Sequence, residues 1–313
     1  MSHFNVNDIS QQLHTIGDFI RFATSTFNQA DLYFGHGHDN AWDEAITLVT
    51  FTLSLPSELT EHIMQCRLLQ QEKEQILALV ERRVNEEIPA AYLINQAFFA
   101  GLPFYVDERV LVPRSPIAEL IEQRFNTIIG DDKPVARILD LCTGSGCIAI
   151  ACATYFPEAD VDAADLSPDA LNVAQINIEN HGLTEHVIPI QSDVFSGLEG
   201  QQYDLIVTNP PYVDSEDVEL LPAEFQHEPE MGLGCGDDGL DIVRTILAQG
   251  ASHLSDDGWL ICEVGNSQVH VQAVYPEVNF NWLTFERGGH GVFAISKAEL
   301  TQHETIFKQR VKK

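Results

Sequence analysis

The middle of the chain lacks positively charged side chains. The sequence has 17 lysines and arginines against 47 aspartates and glutamates, a net charge of −30 over 313 residues. Between Arg137 and Arg244 there is no lysine or arginine at all. Because proteins that bind nucleic acids neutralise phosphates with several such side chains, this interval argues against a direct DNA or RNA substrate.

Long apolar runs and closely spaced cysteine pairs are also missing. No stretch is apolar enough to span a bilayer, and residues 1–5 do not begin a signal peptide. The six cysteines show no Cys-x-x-Cys spacing, so we expect reduced thiols and no metal site. The composition therefore predicts a cytoplasmic protein without a membrane segment, and it leaves the oligomeric state open.

The tetrapeptide Asn209-Pro210-Pro211-Tyr212 follows an apolar run, 203–208, that is typical of a buried parallel strand. Prolines end a strand, and ligands bind at the carboxyl ends of strands in open α/β sheets. The Asn209 side-chain oxygen and the Pro210 carbonyl can accept the two N–H groups of a planar amide or amine. They would orient its nitrogen toward an electrophilic methyl group, with Tyr212 stacking on the flat group. A proline-rich turn or a short polyproline ligand is the alternative.

A glycine-rich turn forms the second motif. A strand pattern at 138–141 runs into Cys142-Thr143-Gly144-Ser145-Gly146, and a helix pattern follows. The glycines permit a tight turn and close approach of the backbone to a ligand. The turn lacks the third glycine of a dinucleotide fingerprint and the lysine of a phosphate-binding loop. It therefore suits a nucleoside without phosphates, which indicates S-adenosylmethionine.

Two aspartates after the next two strand patterns fit such a nucleoside. Asp165 lies about 20 residues after the glycine turn, the offset of a ribose-binding acid. Asp193 follows the pattern at 187–191 and can accept a hydrogen bond from an adenine amine, with Val194 or Phe195 packing on the ring. A helix cap or a surface position is the alternative for Asp165, and a simple turn position is the alternative for Asp193.

An acidic run follows the Asn-Pro-Pro-Tyr segment. Its members are Asp214, Glu216, Asp217, Glu219, Glu224, Glu228 and Glu230. Together with the missing cations, this run favours a basic protein as substrate, because opposite charge steers partners into contact. A surface that is merely solvated by its acids is the alternative.

The order of these motifs resembles class I S-adenosylmethionine-dependent methyltransferases, and more narrowly the HemK/PrmB family, which methylates glutamine side-chain amides in proteins. The segment Val110–Pro116 is similar to the linker motif of that family. Arg114-Ser115-Pro116 and the segment Phe285–Phe293 are similar to the branch that acts on a ribosomal protein of the large subunit. The rival branch acts on release factors. The resemblance extends from about Glu81 to the end.

The resemblance implies a set of site residues. Cofactor contacts are implied for Asp140, Cys142, Thr143, Gly144, Ser145, Gly146, Asp165, Asp193, Val194 and Asn209. Substrate contacts are implied for Asn209, Pro210, Pro211, Tyr212 and Arg114, of which Asn209 and Pro210 are the catalytic pair. The basic third large-subunit ribosomal protein is the implied substrate. A nucleic-acid amine methyltransferase and a nonenzymatic assembly factor are the remaining alternatives.

The chain is expected to divide into three parts. A helical substrate-recognition domain is predicted over 1–98, a β-hairpin linker over 99–116 with strands 103–106 and 109–112, and an α/β catalytic domain over 117–313. The resemblance implies a seven-stranded, mostly parallel sheet with an antiparallel edge. Its strands are predicted at 136–142, 160–166, 187–191, 203–208, 258–264, 281–286 and 291–296.

Overall fold

The computed structural model describes residues 6–131 and 133–311. Contacts within the chain divide these residues into two compact units. The first contains the described residues up to Gln96 together with Pro222–His227, and the second contains Ala97–Leu221 together with the described residues from Glu228 onward. The three-part division into 1–98, 99–116 and 117–313 therefore stays a prediction, and the predicted linker lies within the second unit.

The first unit is helical. Its helices are α1 (Val6–Gln12), α2 (Ile16–Gln29), α3 (Ala41–Thr52), α4 (Glu61–Met64), α5 (Gln70–Asn85) and α6 (Ala90–Ile94), with a 3₁₀ helix at Ala223–His227. Thr15 and Asp18 form a reciprocal capping box that starts α2, since each side chain accepts a hydrogen bond from the other's backbone N–H. The core includes Phe19 and Phe27 of α2, which are fully buried.

A buried ion pair also lies in the first unit. Arg83 is 1% exposed. Its guanidinium contacts Glu44 at 2.7 Å and Glu224 at 3.3 Å, and it donates to the carbonyl of Tyr33. Glu224 belongs to the acidic run, but here it is a buried partner of an arginine rather than part of an exposed surface.

The second unit is built on two sheets. Its strands are β1 (Ala97–Phe99), β2 (Leu102–Phe104), β3 (Arg137–Leu141), β4 (Asp160–Asp165), β5 (Val187–Gln191), β6 (Tyr203–Thr208), β7 (Leu254–Glu263), β8 (Asn281–Trp282) and β9 (Val292–Ser296). Its helices are α7 (Ile117–Glu122), α8 (Asn126–Ile129), α9 (Cys147–Tyr155), α10 (Pro168–Asn180), α11 (Ser215–Leu220), α12 (Glu230–Leu233), α13 (Asp241–His253), α14 (Gln268–Val274), α15 (Lys297–Gln302) and α16 (Glu304–Gln309), with a 3₁₀ helix at Gly265–Ser267.

The large sheet has the order β5-β4-β3-β6-β7-β9-β8. Strands β3 to β7 pair in parallel, and β9 pairs antiparallel with both β7 and β8. Alternate side chains of one strand enter different hydrophobic clusters: Leu205 and Val207 join one and Ile206 joins the other. Because successive side chains of a strand point to opposite faces, the two clusters lie on opposite faces of the sheet. Each cluster includes helix residues, so helices cover both faces. The seven-stranded, mostly parallel sheet with an antiparallel edge is confirmed.

The predicted hairpin lies at a different place. The prediction of strands at 103–106 and 109–112 is wrong, because the hairpin is formed by β1 and β2, which are joined by Ala100 and Gly101. Both turn residues have positive φ, +48° and +76°, as two-residue hairpin turns of the primed type require. Asp107, placed at the predicted turn, instead accepts a hydrogen bond from the Tyr105 hydroxyl at 2.8 Å.

Five predicted strands match β3, β4, β5, β6 and β9 to within one residue at each end. Strand β7 begins earlier than predicted, at Leu254, and β8 is shorter, ending at Trp282. Within the described ranges, every helix is too short or too polar to cross a membrane.

Candidate active site

Apart from Arg114, the predicted site residues lie along one edge of the large sheet, where four neighbouring parallel strands end. The order β5, β4, β3, β6 brings Asp193, Asp165, the glycine turn and Asn209 to successive strand ends. Backbone hydrogen bonds tie the ends together. The Thr143 N–H donates to the Ala164 carbonyl at 3.0 Å, and the Ser192 N–H donates to the Asp165 carbonyl at 2.9 Å.

The glycine turn joins β3 to α9 through left-handed backbone. Cys142, Gly144 and Gly146 have φ of +62°, +54° and +81°. A Cβ on Gly146 would lie 3.2 Å from the Cβ of Ala174 in α10, so this glycine permits close helix packing. A Cβ on Gly144 would meet no atom within 4 Å. Gly144 therefore faces open space, which is where a cofactor could approach the backbone.

Asp140 lies beneath the turn and is fully buried. Its Oδ2 accepts from the Thr143 hydroxyl and from the Ala149 N–H of α9. Its Oδ1 is buried without a hydrogen-bond partner among the described residues. Burial raises the pKa of Asp140 to about 7, and the two hydrogen bonds oppose this shift.

Asp165 is half-buried and touches the glycine turn directly. Its Oδ2 accepts from the Gly144 N–H at 2.9 Å, and its Oδ1 accepts from the Ser167 N–H at 2.9 Å. Burial raises the pKa of its carboxyl, against these backbone donors. The cap of α10 is supplied by Ser167, which accepts from the Ala170 N–H at 3.2 Å. Asp165 is thus not the capping side chain of that helix.

Asp193 and Val194 line an open cleft of about 500 Å³. Asp193 is exposed, and Val194 has a φ of +50°. The remaining walls of the cleft come from Ser196, Asp241, Ile242, Thr245 and Gln249. Four of these lie on α13, which no motif in the sequence marked as part of a site.

The Asn-Pro-Pro-Tyr segment begins directly after β6. Thr208, the last residue of that strand, donates its hydroxyl to the Leu141 carbonyl at 2.7 Å, which fixes the segment beside the end of β3. Pro210 and Pro211 are buried, whereas Asn209 is half-buried. In the part of the chain that the structure describes, no residue forms a hydrogen bond with the Asn209 side chain. Its carboxamide is therefore available to a substrate.

Tyr212 is held from several sides. Its hydroxyl donates to Glu263 at 3.0 Å, and its carbonyl accepts from the Ser267 hydroxyl at 2.7 Å. A Cβ on Gly265 would lie 2.6 Å from its ring, and a Cβ on Gly239 would lie 2.1 Å from its carbonyl oxygen. Two glycines are thus required for this packing. Burial, followed by the nearby Glu263, raises the pKa of Tyr212.

Arg114 forms a bidentate ion pair with Glu228, with distances of 2.5 and 2.6 Å. The Glu228 side chain has no exposed surface, and it also accepts from the Val112 N–H at 3.0 Å. A substrate contact by Arg114 stays a prediction, and the contact that the structure shows is to Glu228. This acid, like Glu224, is not part of an exposed acidic surface.

Two residues of this region, Glu263 and Asn177, went unnoticed in the sequence, and Ser115 was noted only as part of the linker motif. The Ser115 hydroxyl donates a hydrogen bond to the Glu263 carboxylate at 2.5 Å. The side-chain amide of Asn177 in α10 donates to the Ser145 carbonyl at 2.9 Å. Asn177 is fully buried. A polar residue inside the apolar pattern of a helix was the available signal for Asn177. A single acid at the end of an apolar strand was the signal for Glu263.

Among the described residues there is no group of three or more histidine, cysteine, aspartate or glutamate side chains placed to hold a metal ion.

Comparison with known proteins identifies the family. A family described as the Methyltransferase small domain matches residues 123–225. The ribosomal protein uL3 glutamine methyltransferase of Xanthomonas campestris pv. campestris is 53% identical over 94% of this chain and 95% of its own length. The protein of the same name from Neisseria meningitidis serogroup B is 50% identical over 97% of this chain and 100% of its own length.

The chain belongs to the family of ribosomal protein uL3 glutamine methyltransferases. It is a methyltransferase, and the resemblance to the ribosomal-protein branch of the HemK/PrmB family is confirmed. Among solved structures, a methyltransferase from Pyrococcus furiosus is similar, with a TM-score of 0.46 and 16% identity over 63% of this chain and 89% of that one. That likeness is too weak to bear on the site of this uL3 glutamine methyltransferase family member.

Proposed function

We propose that this chain transfers the methyl group of S-adenosylmethionine to the side-chain amide nitrogen of a glutamine in ribosomal protein uL3. The observation that carries the proposal is the identity of 53% and 50% to two uL3 glutamine methyltransferases over nearly the whole chain. The strand-end edge described above supports it, since the glycine turn and Asn209 follow the neighbouring strands β3 and β6.

The residues at the edge fit S-adenosylmethionine. Gly144 faces open space, and Asp140 has a buried oxygen without a partner among the described residues. Asp165 is partly accessible beside the turn. We assign the methionine part to the turn Cys142–Gly146, the ribose to Asp165 and the adenine edge to the loop of Asp193. When bound, this cofactor supplies an electrophilic methyl group.

The proposed role of Asn209 and Pro210 is to hold the accepting amide. An amide nitrogen is a weak nucleophile because its lone pair is delocalised into the carbonyl. The Asn209 side-chain oxygen and the Pro210 carbonyl accept its two N–H groups and point the nitrogen toward the methyl group. The same two oxygens stabilise the positive charge that develops on nitrogen during transfer. The nitrogen then loses one proton to solvent.

The charge distribution supports a basic protein substrate, although fewer exposed acids contribute than the sequence indicated. Glu224 and Glu228 are buried ion-pair partners, so the acidic surface is smaller than the sequence suggested. Asp217 and Glu230 are exposed on the segment that follows Tyr212. Their negative charge, without a lysine or arginine between Arg137 and Arg244, attracts a basic ribosomal protein and repels phosphates. The proposal places the reaction in the cytoplasm, where ribosomal proteins are made.

Methyl transfer from labelled S-adenosylmethionine tests the proposal. Purified uL3, a release factor and duplex DNA are offered separately, and mass spectrometry locates the methyl group. We expect label on one glutamine of uL3 only. Label on the release factor or on DNA instead of uL3 would contradict the assigned substrate, and label on a uL3 residue other than glutamine would contradict the assigned chemistry.

A further inference from the structure

One buried carboxylate connects two separate segments of the second unit. Glu263, the last residue of β7, is 4% exposed. One of its oxygens accepts from the Ser115 hydroxyl at 2.5 Å, and the other accepts from the Tyr212 hydroxyl at 3.0 Å. Ser115 in turn accepts from the Ile117 N–H at the start of α7, at 3.1 Å. The Val-Pro-Arg-Ser-Pro segment and the Asn-Pro-Pro-Tyr segment therefore meet at a single side chain.

The segment between Thr208 and Tyr212 is fixed at both ends. At one end the Thr208 hydroxyl is bonded to the end of β3 at 2.7 Å. At the other end Tyr212 is bonded through its hydroxyl to Glu263 and through its carbonyl to Ser267. Between these anchors lie two prolines, whose φ angles are fixed by their rings. Few backbone dihedrals between these anchors are free, so a displacement of the Tyr212 backbone would be passed on to the Pro210 carbonyl and to Asn209.

We infer that Glu263 is a positioning residue, which holds Asn209 and Pro210 in the geometry that accepts an amide by binding the Tyr212 hydroxyl, with Ser115 fixing the carboxylate. This inference rests on the proposed function, because it assigns the amide contacts to Asn209 and Pro210. It gives Tyr212 a role in the geometry of the segment.

The charges around Glu263 agree with a fixed position. Burial raises its pKa to about 7, and the hydrogen bonds from Ser115 and Tyr212 oppose that shift, followed by the charge of Arg114. Arg114 is itself held by the buried Glu228 in a bidentate pair. The two hydroxyls that donate to Glu263 belong to residues with further hydrogen bonds, Ser115 to the Ile117 N–H and Tyr212 to the Ser267 hydroxyl. Removal of one donor leaves a buried acceptor without compensation.

A second tyrosine–carboxylate pair in the same sheet provides a matched control. Tyr203 lies at the start of β6 and is fully buried, and its hydroxyl donates to the buried Asp162 at 2.7 Å. Tyr203→Phe and Tyr212→Phe each remove one oxygen atom from a tyrosine bonded to a buried acid. They differ in that Tyr203 is the first residue of β6, far from Asn209, whereas Tyr212 lies three residues after Asn209, beyond the other end of the strand.

The kinetic test uses the full-length protein with uL3 as substrate. We expect Tyr212→Phe and Glu263→Ala to lower kcat by about 10- to 100-fold with the KM for S-adenosylmethionine unchanged, because a displaced contact acts on the transition state. Glu263→Gln should restore most of kcat, since its amide can accept from Tyr212 and donate to Ser115. Tyr203→Phe should leave kcat unchanged. Equal loss in Tyr203→Phe and Tyr212→Phe, or equal loss in Glu263→Ala and Glu263→Gln, would overturn the inference.

Hydrogen–deuterium exchange provides a readout that needs no substrate. Exchange of the amides of Tyr212, Val213 and Asp214 should rise about tenfold in Tyr212→Phe and in Glu263→Ala, and remain as in the unchanged protein in Tyr203→Phe. If the unchanged protein does not methylate uL3, the proposed function fails while this exchange still decides whether Glu263 fixes the segment. Unaltered exchange in Tyr212→Phe, a variant that removes a single oxygen, would overturn the inference even if Glu263→Ala does not fold.

Discussion

Substitution of Gly144 separates a cofactor contact from a requirement of the backbone. Gly144 has a φ of +54°, and a Cβ built on it meets no atom within 4 Å. Gly144→Ala should therefore lower the free energy of unfolding only by the cost of left-handed backbone, about 1–2 kcal/mol. If the open space receives the cofactor, the added methyl group overpacks the complex by about 1–3 kcal/mol. That range corresponds to a cofactor Kd weakened about 5- to 150-fold.

Gly182 provides the control for this prediction. It is exposed in the turn after α10, with a φ of +68° and no atom within 4 Å of a built Cβ. Gly182→Ala therefore carries the same backbone cost away from the strand-end edge. Urea unfolding measures stability, and calorimetry with S-adenosylmethionine measures Kd. Comparable loss of stability in both variants, with Kd weakened only in Gly144→Ala, is the expected result. An unchanged Kd in Gly144→Ala would refute the assigned cofactor position.

Three further predictions follow from the site. Asn209→Ala should lower kcat about 100- to 1,000-fold with calorimetric cofactor affinity unchanged, because it removes an oxygen that stabilises charge on the amide nitrogen. Asp165→Ala should weaken cofactor binding about 10- to 150-fold, the range for a hydrogen bond to a charged group, with kcat at saturating cofactor retained. Asp140 has a folded-state pKa of about 7, above the value of about 3.9 for an unfolded chain. Its neutral form therefore stabilises the fold below about pH 4, and that contribution is lost as the pH rises through 7, at up to about 1.4 kcal/mol per pH unit. Urea unfolding between pH 4 and 8 should show this slope, and Asp140→Asn should reduce it.

A different result would contradict each of these three predictions. A parallel loss of cofactor affinity in Asn209→Ala would remove Asn209 from the role of amide acceptor. Cofactor affinity that survives Asp165→Ala would remove Asp165 from the ribose site. A pH slope that is the same in Asp140→Asn as in the unchanged protein would show that Asp140 is already ionised when buried.

The sheet edge could be predicted because its signals are local. The apolar runs before Cys142, Asp165, Asp193 and Asn209 end at polar or glycine residues, and parallel strands bring such ends together. Strands β3 to β6 therefore agree with the sequence to within one residue at each end. The roles of individual side chains at this edge stay predictions until the substitutions above are made.

The contacts that support this edge could not be predicted, because they join distant parts of the chain. Glu263 meets Ser115 across 148 positions and Tyr212 across 51. Glu228 pairs with Arg114 across 114 positions. The sequence places Glu228 in an acidic run and Glu263 at the end of an apolar strand, and neither position identifies the distant donor beside which the acid is buried. The hairpin was predicted at the wrong place for a different reason. Ala100 adopts a positive φ, which is unusual for alanine and is therefore not expected from the sequence.

The assignment of Pro222–His227 to the helical unit has a consequence for how this protein can be cut or recombined. A fragment that starts at Ala97 would keep Glu224 but lose Arg83, the cation that neutralises it. A helical fragment that ends at Gln96 would keep the pair of Arg83 with Glu44 but lose its pair with Glu224. The two units are therefore not separable by one break in the chain. A functional chimera with a relative would have to exchange two stretches of sequence together, the amino-terminal one and Pro222–His227.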